Sequence, residues 1–259
     1  MSESFVVRES RPGGVVLLRL DRPPLNALSI ALLTELAGHA RAIAEEPEVK
    51  AVVLTGNDRA FAAGADVSEL TAPGAAKAAS DAFRAAGDAL NAIPRPVIAA
   101  VSGFALGGGF EVALQCDLRV AGDNARLGFP EILLGIFPGG GGTQRAARLI
   151  GPARTKELIW SGRQVKADEA LALGLVDRVV PAEETLAAAL DWATQLASGA
   201  VVAMGEAKHV IDAGLDGTLA AGFDLETARF VAVFDTEDAA TGVASFLEHG
   251  PGKATFSGR

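Results

Sequence analysis

Short apolar runs alternate with segments of helical periodicity through the first two thirds of the chain. Continuous apolar runs indicate strands buried on both faces, and apolar positions three or four residues apart indicate helices. The predicted strands are residues 5–7, 15–20, 51–54, 97–101 and 118–121. The turn Pro12-Gly13-Gly14 favours antiparallel pairing of the first two strands.

Helical patterns lie between these strands. Ser29 is a typical N-cap for a helix that carries Leu32, Leu33, Leu36, Ala40 and Ile43 on one face. An alanine-rich helix is predicted over 75–93, and glycines 107–109 open another that runs to Cys116, whereas 56–70 is predicted to be a loop. The alternation predicts an α/β fold with a mostly parallel sheet and right-handed crossovers.

After Gly151 the pattern becomes mainly helical. Helices are predicted over 153–160, 168–173, 183–197, 201–213, 219–234 and 236–248, with one strand over 176–180. The chain has 259 residues, which suits one domain or a large domain with a smaller appendage.

Composition excludes several functional classes. The single cysteine, Cys116, rules out an internal disulfide, and three scattered histidines give no metal-binding spacing, so no metal is expected. A net charge of −9 disfavours nucleic-acid binding. The N-terminus shows no secretory signal and no apolar run reaches membrane-spanning length, so we expect a cytoplasmic protein without membrane contact.

Two glycine-rich segments could bind a ligand through their main chain. Phe61-Ala62-Ala63-Gly64-Ala65-Asp66 follows a buried strand, and its small residues allow close approach of a ligand; a tight surface turn explains it equally simply. Gly107-Gly108-Gly109 lies where a strand becomes a helix, so free N–H groups there could stabilise an oxyanion. Close helix–strand packing is the alternative for these glycines.

Two acidic residues stand in apolar surroundings. Glu111 falls in the first turn of the glycine-opened helix, where a negative charge is also favoured by the helix dipole. Glu131 lies between Phe129-Pro130 and an apolar run; it could transfer protons, cap a helix or pair with Arg145. Two acids beside N–H donors indicate acid–base chemistry on a carbonyl compound, and the residues by themselves do not name the substrate.

These motifs resemble the crotonase superfamily, and within it the enoyl-CoA hydratases. The resemblance covers nearly the whole chain and is carried by four motifs in order: Ala-Phe-Ala-Ala-Gly-Ala-Asp at 60–66, Gly-Phe-Ala-Leu-Gly-Gly-Gly at 103–109, Pro-Glu-Ile-Leu-Leu-Gly at 130–135 and Gly-Gly-Thr-Gln-Arg at 141–145. It implies hydration of an enoyl-CoA thioester, with coenzyme A as part of the substrate and no separate cofactor.

The resemblance also implies roles for individual residues. Glu111 would activate water and Glu131 would protonate the α-carbon. The N–H groups of Ala65 and Gly108 would form the oxyanion hole, and the Gly139 N–H would help to position the water. Ala63, Gly64, Asp66, Val67 and Ser68 would bind the substrate along its coenzyme. Family members often have lysine where this chain has Ser68, and Arg22, Arg59 and Lys253 are candidates to replace it.

The implied fold is a spiral of repeated ββα units over 1–198, followed by a helical region over 199–259 that makes trimer contacts. The assembly would be a trimer or a dimer of trimers. Isomerisation of an enoyl-CoA is the nearest alternative activity, although isomerases commonly keep one acid and this chain has both. An RNA-binding relative is a further alternative that the acidic charge disfavours.

Overall fold

The larger sheet of the computed structural model, which describes residues 4–259, has six strands. Its order is β1-β2-β3-β5-β7-β10, formed by Val6–Arg11, Val15–Leu20, Ala51–Thr55, Val97–Val101, Leu118–Gly122 and Arg178–Val180. The β1–β2 pair is antiparallel and all other pairs are parallel. The predicted parallel sheet is therefore present.

A second sheet contains four strands of three residues each, β4 (Ala60–Ala62), β6 (Phe104–Leu106), β8 (Arg126–Gly128) and β9 (Gln164–Lys166). The first three are parallel, and β9 is antiparallel to β8. The prediction of a loop over 56–70 was wrong, because this segment contains β4 and the 3₁₀-helix Val67–Leu70. A strand of three residues is too short to show a period of two along the sequence.

The described residues also form ten α-helices: α1 (Ile30–Ala44), α2 (Ala75–Asn91), α3 (Gly108–Ala113), α4 (Gly142–Ile150), α5 (Pro152–Ser161), α6 (Ala167–Leu173), α7 (Thr185–Ala197), α8 (Val201–Leu215), α9 (Leu219–Val233) and α10 (Glu237–His249). The Ser29 Oγ accepts the Leu32 N–H at the start of α1, as the N-cap prediction required. Helix α3 ends earlier than predicted, at Ala113 rather than Cys116.

The element order contains a repeated unit. A long strand of the first sheet is followed by a short strand of the second and then by a helix, in β3-β4-α2, β5-β6-α3 and β7-β8-α4. This is the predicted spiral of ββα units. Since the short strands β4, β6 and β8 lie parallel beside one another, each unit brings the segment after its short strand to the same end of the spiral.

The larger sheet is covered on both faces. Val16 and Leu18 pack into the cluster with α1 and α2, whereas Val15 and Leu17 pack against Ala189 and its neighbours on α7. Alternate side chains of one strand thus face two apolar layers, which is why the sequence of β2 is apolar at successive positions.

The C-terminal helices α9 and α10 leave many apolar side chains exposed, namely Leu219, Phe223, Phe230, Val231, Val243, Phe246 and Leu247. Among helices within 4–259, none by itself is long and apolar enough to cross a membrane, although the bent pair Ala182–Ala197 and Val201–Leu215 reaches that length and composition together.

Candidate active site

The main chain leaves the Ala65 N–H group free. Ala63 N–H donates to Leu25 O at 3.0 Å, Leu28 N–H donates to Gly64 O at 2.8 Å, and Asp66 N–H donates to Leu28 O at 2.9 Å. Between these bonded groups, the Ala65 N–H donates to no acceptor in the described part of the chain. It is therefore held in a fixed position and remains available to a ligand.

The Asp66 side chain accepts hydrogen bonds from Ser68 and Arg22. Its Oδ1 accepts the Ser68 N–H at 3.1 Å and the Ser68 Oγ at 2.6 Å, while its Oδ2 accepts Arg22 Nη2 at 2.6 Å. The hydrogen bond from Ser68, followed by that from Arg22, holds the Asp66 pKa below its usual range. Asp66 and Arg22 thus shape the segment, whereas Val67 and Ser68 are exposed along it.

A second free N–H belongs to Gly108 at the start of α3. Gly107 has a φ of +52° and donates its own N–H to Gly128 O at 2.9 Å, which turns the chain from β6 into the helix. The Gly108 N–H has no acceptor within residues 4–259. A β-carbon added to Gly108 would lie 3.3 Å from the Ala65 nitrogen, so the two free N–H groups adjoin each other.

Glu111 lies one turn further along α3 and is 3% exposed. Its Oε1 accepts two main-chain N–H groups, from Gly140 and Gly142, each at 2.8 Å. Burial raises the Glu111 pKa, and these two hydrogen bonds oppose the rise. The carboxyl is therefore oriented through Oε1, and Oε2 accepts no hydrogen bond from the residues described.

Glu131 lies on the 3₁₀-helix Pro130–Leu134. Its Oε2 is buried and has no hydrogen-bond partner in the described chain, and Arg145 forms no ion pair with it there. Its Oε1 lies 2.9 Å from the position of a β-carbon on Gly107. Burial raises the Glu131 pKa to about 7, and the charge of nearby Glu111 acts in the same direction. A carboxyl with one unpartnered oxygen and this pKa can hold or release a proton near neutral pH.

One wall of the site is Phe83 of α2, which sequence analysis missed. Its ring lies between Gly108 and Gly140: a β-carbon on Gly108 would be 2.4 Å from Phe83 Cζ, and one on Gly140 would be 2.9 Å from Phe83 Cγ. Phe83 is 5% exposed and has the sequence signature of an ordinary core residue. Phe129 is buried in the core against Phe110, with ring centroids 5.0 Å apart.

In the glycine segment 139–142 the sequence pointed to a role for Gly139 alone, and the structure adds contacts of Gly140 and Gly142. The groups that bind Glu111 are the N–H groups of Gly140 and Gly142, whereas Gly139 is exposed and its carbonyl accepts Ser80 Oγ at 2.9 Å. The Gly139 N–H donates to nothing among the described residues, so its role towards water stays a prediction.

A large cavity, about 1230 Å³, borders this glycine segment and includes Gly139, Gly140 and Gly141 in its lining. It separates the spiral from α8 and is lined by charged and polar side chains, among them Arg145, Lys208 and Asp212, but not by Glu111 or Glu131. In residues 4–259 no group of three or more histidine, cysteine, aspartate or glutamate residues is placed to hold a metal ion.

Comparisons with known proteins identify the family. The family model described as Enoyl-CoA hydratase/isomerase matches residues 10–259. The chain is 41% identical over 249 residues to 2,3-dehydroadipyl-CoA hydratase of Escherichia coli K12, covering 96% of each protein. It is 40% identical to the short-chain-enoyl-CoA hydratase of Clostridium acetobutylicum, covering 92% of this chain and 93% of that one.

Among solved structures, the enoyl-CoA hydratase of Bacillus anthracis superposes with a TM-score of 0.93 at 38% identity and covers 99% of this chain and 100% of its own. The predicted crotonase-type fold is confirmed. With two adjoining free amides, the acids Glu111 and Glu131 and this likeness along its length, the chain belongs to the enoyl-CoA hydratase/isomerase family.

Proposed function

We propose that this protein is an enoyl-CoA hydratase, a hydro-lyase that adds water syn across the double bond of a 2-trans-enoyl-CoA to give a 3-hydroxyacyl-CoA. The observation that carries the proposal is the pair of unlike carboxyl groups. Glu111 is anchored by Gly140 and Gly142, whereas Glu131 Oε2 is buried without a partner. Hydration requires one base and one acid at the same site.

Each group then has a defined task. Water forms its oxygen–carbon bond at the β-carbon and gives a proton to Glu111, while the electrons of the double bond move towards the thioester oxygen. The N–H groups of Ala65 and Gly108 stabilise that oxygen. The electrons return to the α-carbon as it takes the proton of Glu131. Glu111 lies in α3 and Glu131 Oε1 lies beside Gly107 at the start of α3. This arrangement agrees with addition of the water and the proton to one face of the double bond.

The substrate would lie along the segment that contains Ala63, Gly64, Asp66, Val67 and Ser68, with the Gly139 N–H helping to hold the water. The reaction needs only proton transfer and oxyanion stabilisation, so we propose no cofactor besides the coenzyme A of the substrate. A step of fatty-acid breakdown is the setting that best fits this chemistry. The single cysteine forms no disulfide, which agrees with a cytoplasmic location.

We also propose that the protein assembles as a trimer or a dimer of trimers. The support is the set of exposed apolar side chains on α9 and α10, together with Leu133, Leu134 and Phe137 beside the active site. Apolar patches of this kind commonly form subunit interfaces.

The test of the activity follows the loss of enoyl-thioester absorbance. Crotonyl-CoA, longer 2-trans-enoyl-CoAs and 2,3-dehydroadipyl-CoA should be compared, because the relatives named above differ in substrate. Turnover of at least one, with the 3-hydroxyacyl-CoA as product, is the expected result. Absence of turnover across all chain lengths removes the proposal.

A further inference from the structure

Gln115 is a buried polar side chain that the mechanism above does not use. It follows the end of α3, four residues after Glu111, and is 6% exposed. A primary amide buried to this degree requires hydrogen-bond partners. Its partners therefore show what the side chain does.

The Gln115 amide binds the glycine segment that holds Glu111. Gln115 Nε2 donates to Gly140 O at 3.3 Å, and Asn91 Nδ2 donates to Gln115 Oε1 at 3.4 Å. The Gly140 N–H donates to Glu111 Oε1 at 2.8 Å. Both main-chain polar groups of Gly140 are thus held by side chains that lie four residues apart at the end of one helix.

Two glycines leave room for this side chain. A β-carbon on Gly87, in the C-terminal half of α2, would lie 2.5 Å from Gln115 Cδ, and one on Gly141 would lie 3.0 Å from Gln115 Nε2. A glycine within a helix lowers its stability, so its presence in α2 favours a packing requirement. The surroundings of Gln115 are fitted to an amide of this size.

We propose that Gln115 is a positioning residue for hydration, which fixes Gly140 so that its N–H holds Oε1 of Glu111 and leaves Oε2 directed at the attacking water. This inference rests on the proposed function. The hydrogen bond from Gly140 also lowers the Glu111 pKa against the effect of burial, so loosening Gly140 should raise that pKa.

The first test is Gln115→Met, which keeps the length of the side chain and removes the donor. Alanine is unsuitable because Gln115 also lines the large cavity, and a smaller residue would let water reach Gly140. For Gln115→Met we expect kcat to fall on the order of 10-fold with KM within about twofold of the wild type. The acid limb of the pH–rate profile should move to higher pH.

A second variant, Asn91→Ala, removes the group that orients the Gln115 amide, and Asn91 is only half-buried. It should show a smaller change of the same kind, and it decides the question if Gln115→Met does not fold. Thr155→Val is the matched control. Thr155 is a buried residue of α5, away from the site, and the substitution removes the hydrogen bond that its hydroxyl donates to Gly151 O. Its kcat and pH profile should match the wild type.

The outcomes separate this inference from the proposed function. A wild type that hydrates no enoyl-CoA removes both. An active wild type whose kcat and acid limb are unchanged in Gln115→Met and Asn91→Ala overturns the role of Gln115 alone. A fall in kcat without any movement of the acid limb indicates general structural damage and also overturns it.

Discussion

The main-chain nitrogen of Ala65 lies 3.3 Å from the position that a β-carbon on Gly108 would occupy. Any side chain at 108 would therefore stand beside both free N–H groups, where the proposed oxyanion is stabilised. The same β-carbon would clash with the Phe83 ring, because it would lie 2.4 Å from Cζ. Glycine at this position therefore leaves room both for a ligand at the two N–H groups and for the packing of Phe83 against the helix.

Gly108→Ala should fold, because the end of the Phe83 ring can shift, but it should lose activity. Alanine keeps the N–H, but its methyl group would block the approach of the thioester oxygen, so we expect kcat/KM to fall on the order of 100- to 1000-fold, as when one oxyanion donor is lost. Gly109→Ala is the informative comparison, since its β-carbon would lie 1.9 Å from the main-chain Ala62 O and should disrupt the fold. Circular dichroism and the absorbance assay separate the two effects; full activity in Gly108→Ala would contradict the proposed oxyanion site.

Replacing either acid should lower turnover while the fold is kept. For Glu111→Gln and Glu131→Gln we expect kcat to fall by about 100- to 10,000-fold, the range typical of general acid–base groups. Glu157→Gln is the control, because Glu157 is exposed and pairs with Arg163 away from the site. Near-normal rates in either active-site variant would refute the role given to that residue.

Ionisation of Glu131 should lower the stability of the fold as the pH rises. Its folded pKa of about 7 lies above that of an unfolded glutamate, about 4.3, so between these values the folded protein holds a proton that the unfolded chain has lost. Stability is therefore lost as the pH rises through this window and is lowest, for this group, above pH 7.

Glu131→Gln should remove that dependence. At pH 8 the free energy of unfolding of the variant should exceed that of the wild type by on the order of 1–2 kcal/mol, after allowance for the partial exposure of the carboxyl. The gain should vanish near pH 4.5. Urea unfolding of both proteins at several pH values provides the measurement, and a gain that is equal at all pH values would rule out titration of Glu131 as its cause.

The apolar surface of α9 should be required for assembly. Phe223→Asp and Phe230→Asp, at side chains 58% and 64% exposed, should shift the protein from its assembled state to the monomer in light scattering. A desolvated charge at an interface opposes association without a clash in the monomer. Leu171→Asp, on α6, should leave the assembly intact; dissociation of this control to the same extent would remove the assignment to α9.

The strands of the larger sheet could be predicted because each has its own signature. In β2, Val15 and Leu17 face α7 while Val16 and Leu18 face the opposite layer, so four successive positions are apolar and the run is visible in the sequence. The strands of the second sheet have no such signature. Each is only three residues long and depends on pairing with segments more than twenty residues away.

The sequence by itself determined the family, the alternation of strands and helices, and the two acids, because a carboxylate between apolar residues and glycines before a helix are local features. Only the tertiary structure decided which atoms meet. The Gly140 and Gly142 N–H groups reach Glu111 from 29 and 31 residues away, and Phe83 and Gln115 approach the same glycine segment from separate parts of the chain. Such contacts depend on how the ββα units stack, and no single segment of the chain encodes that stacking.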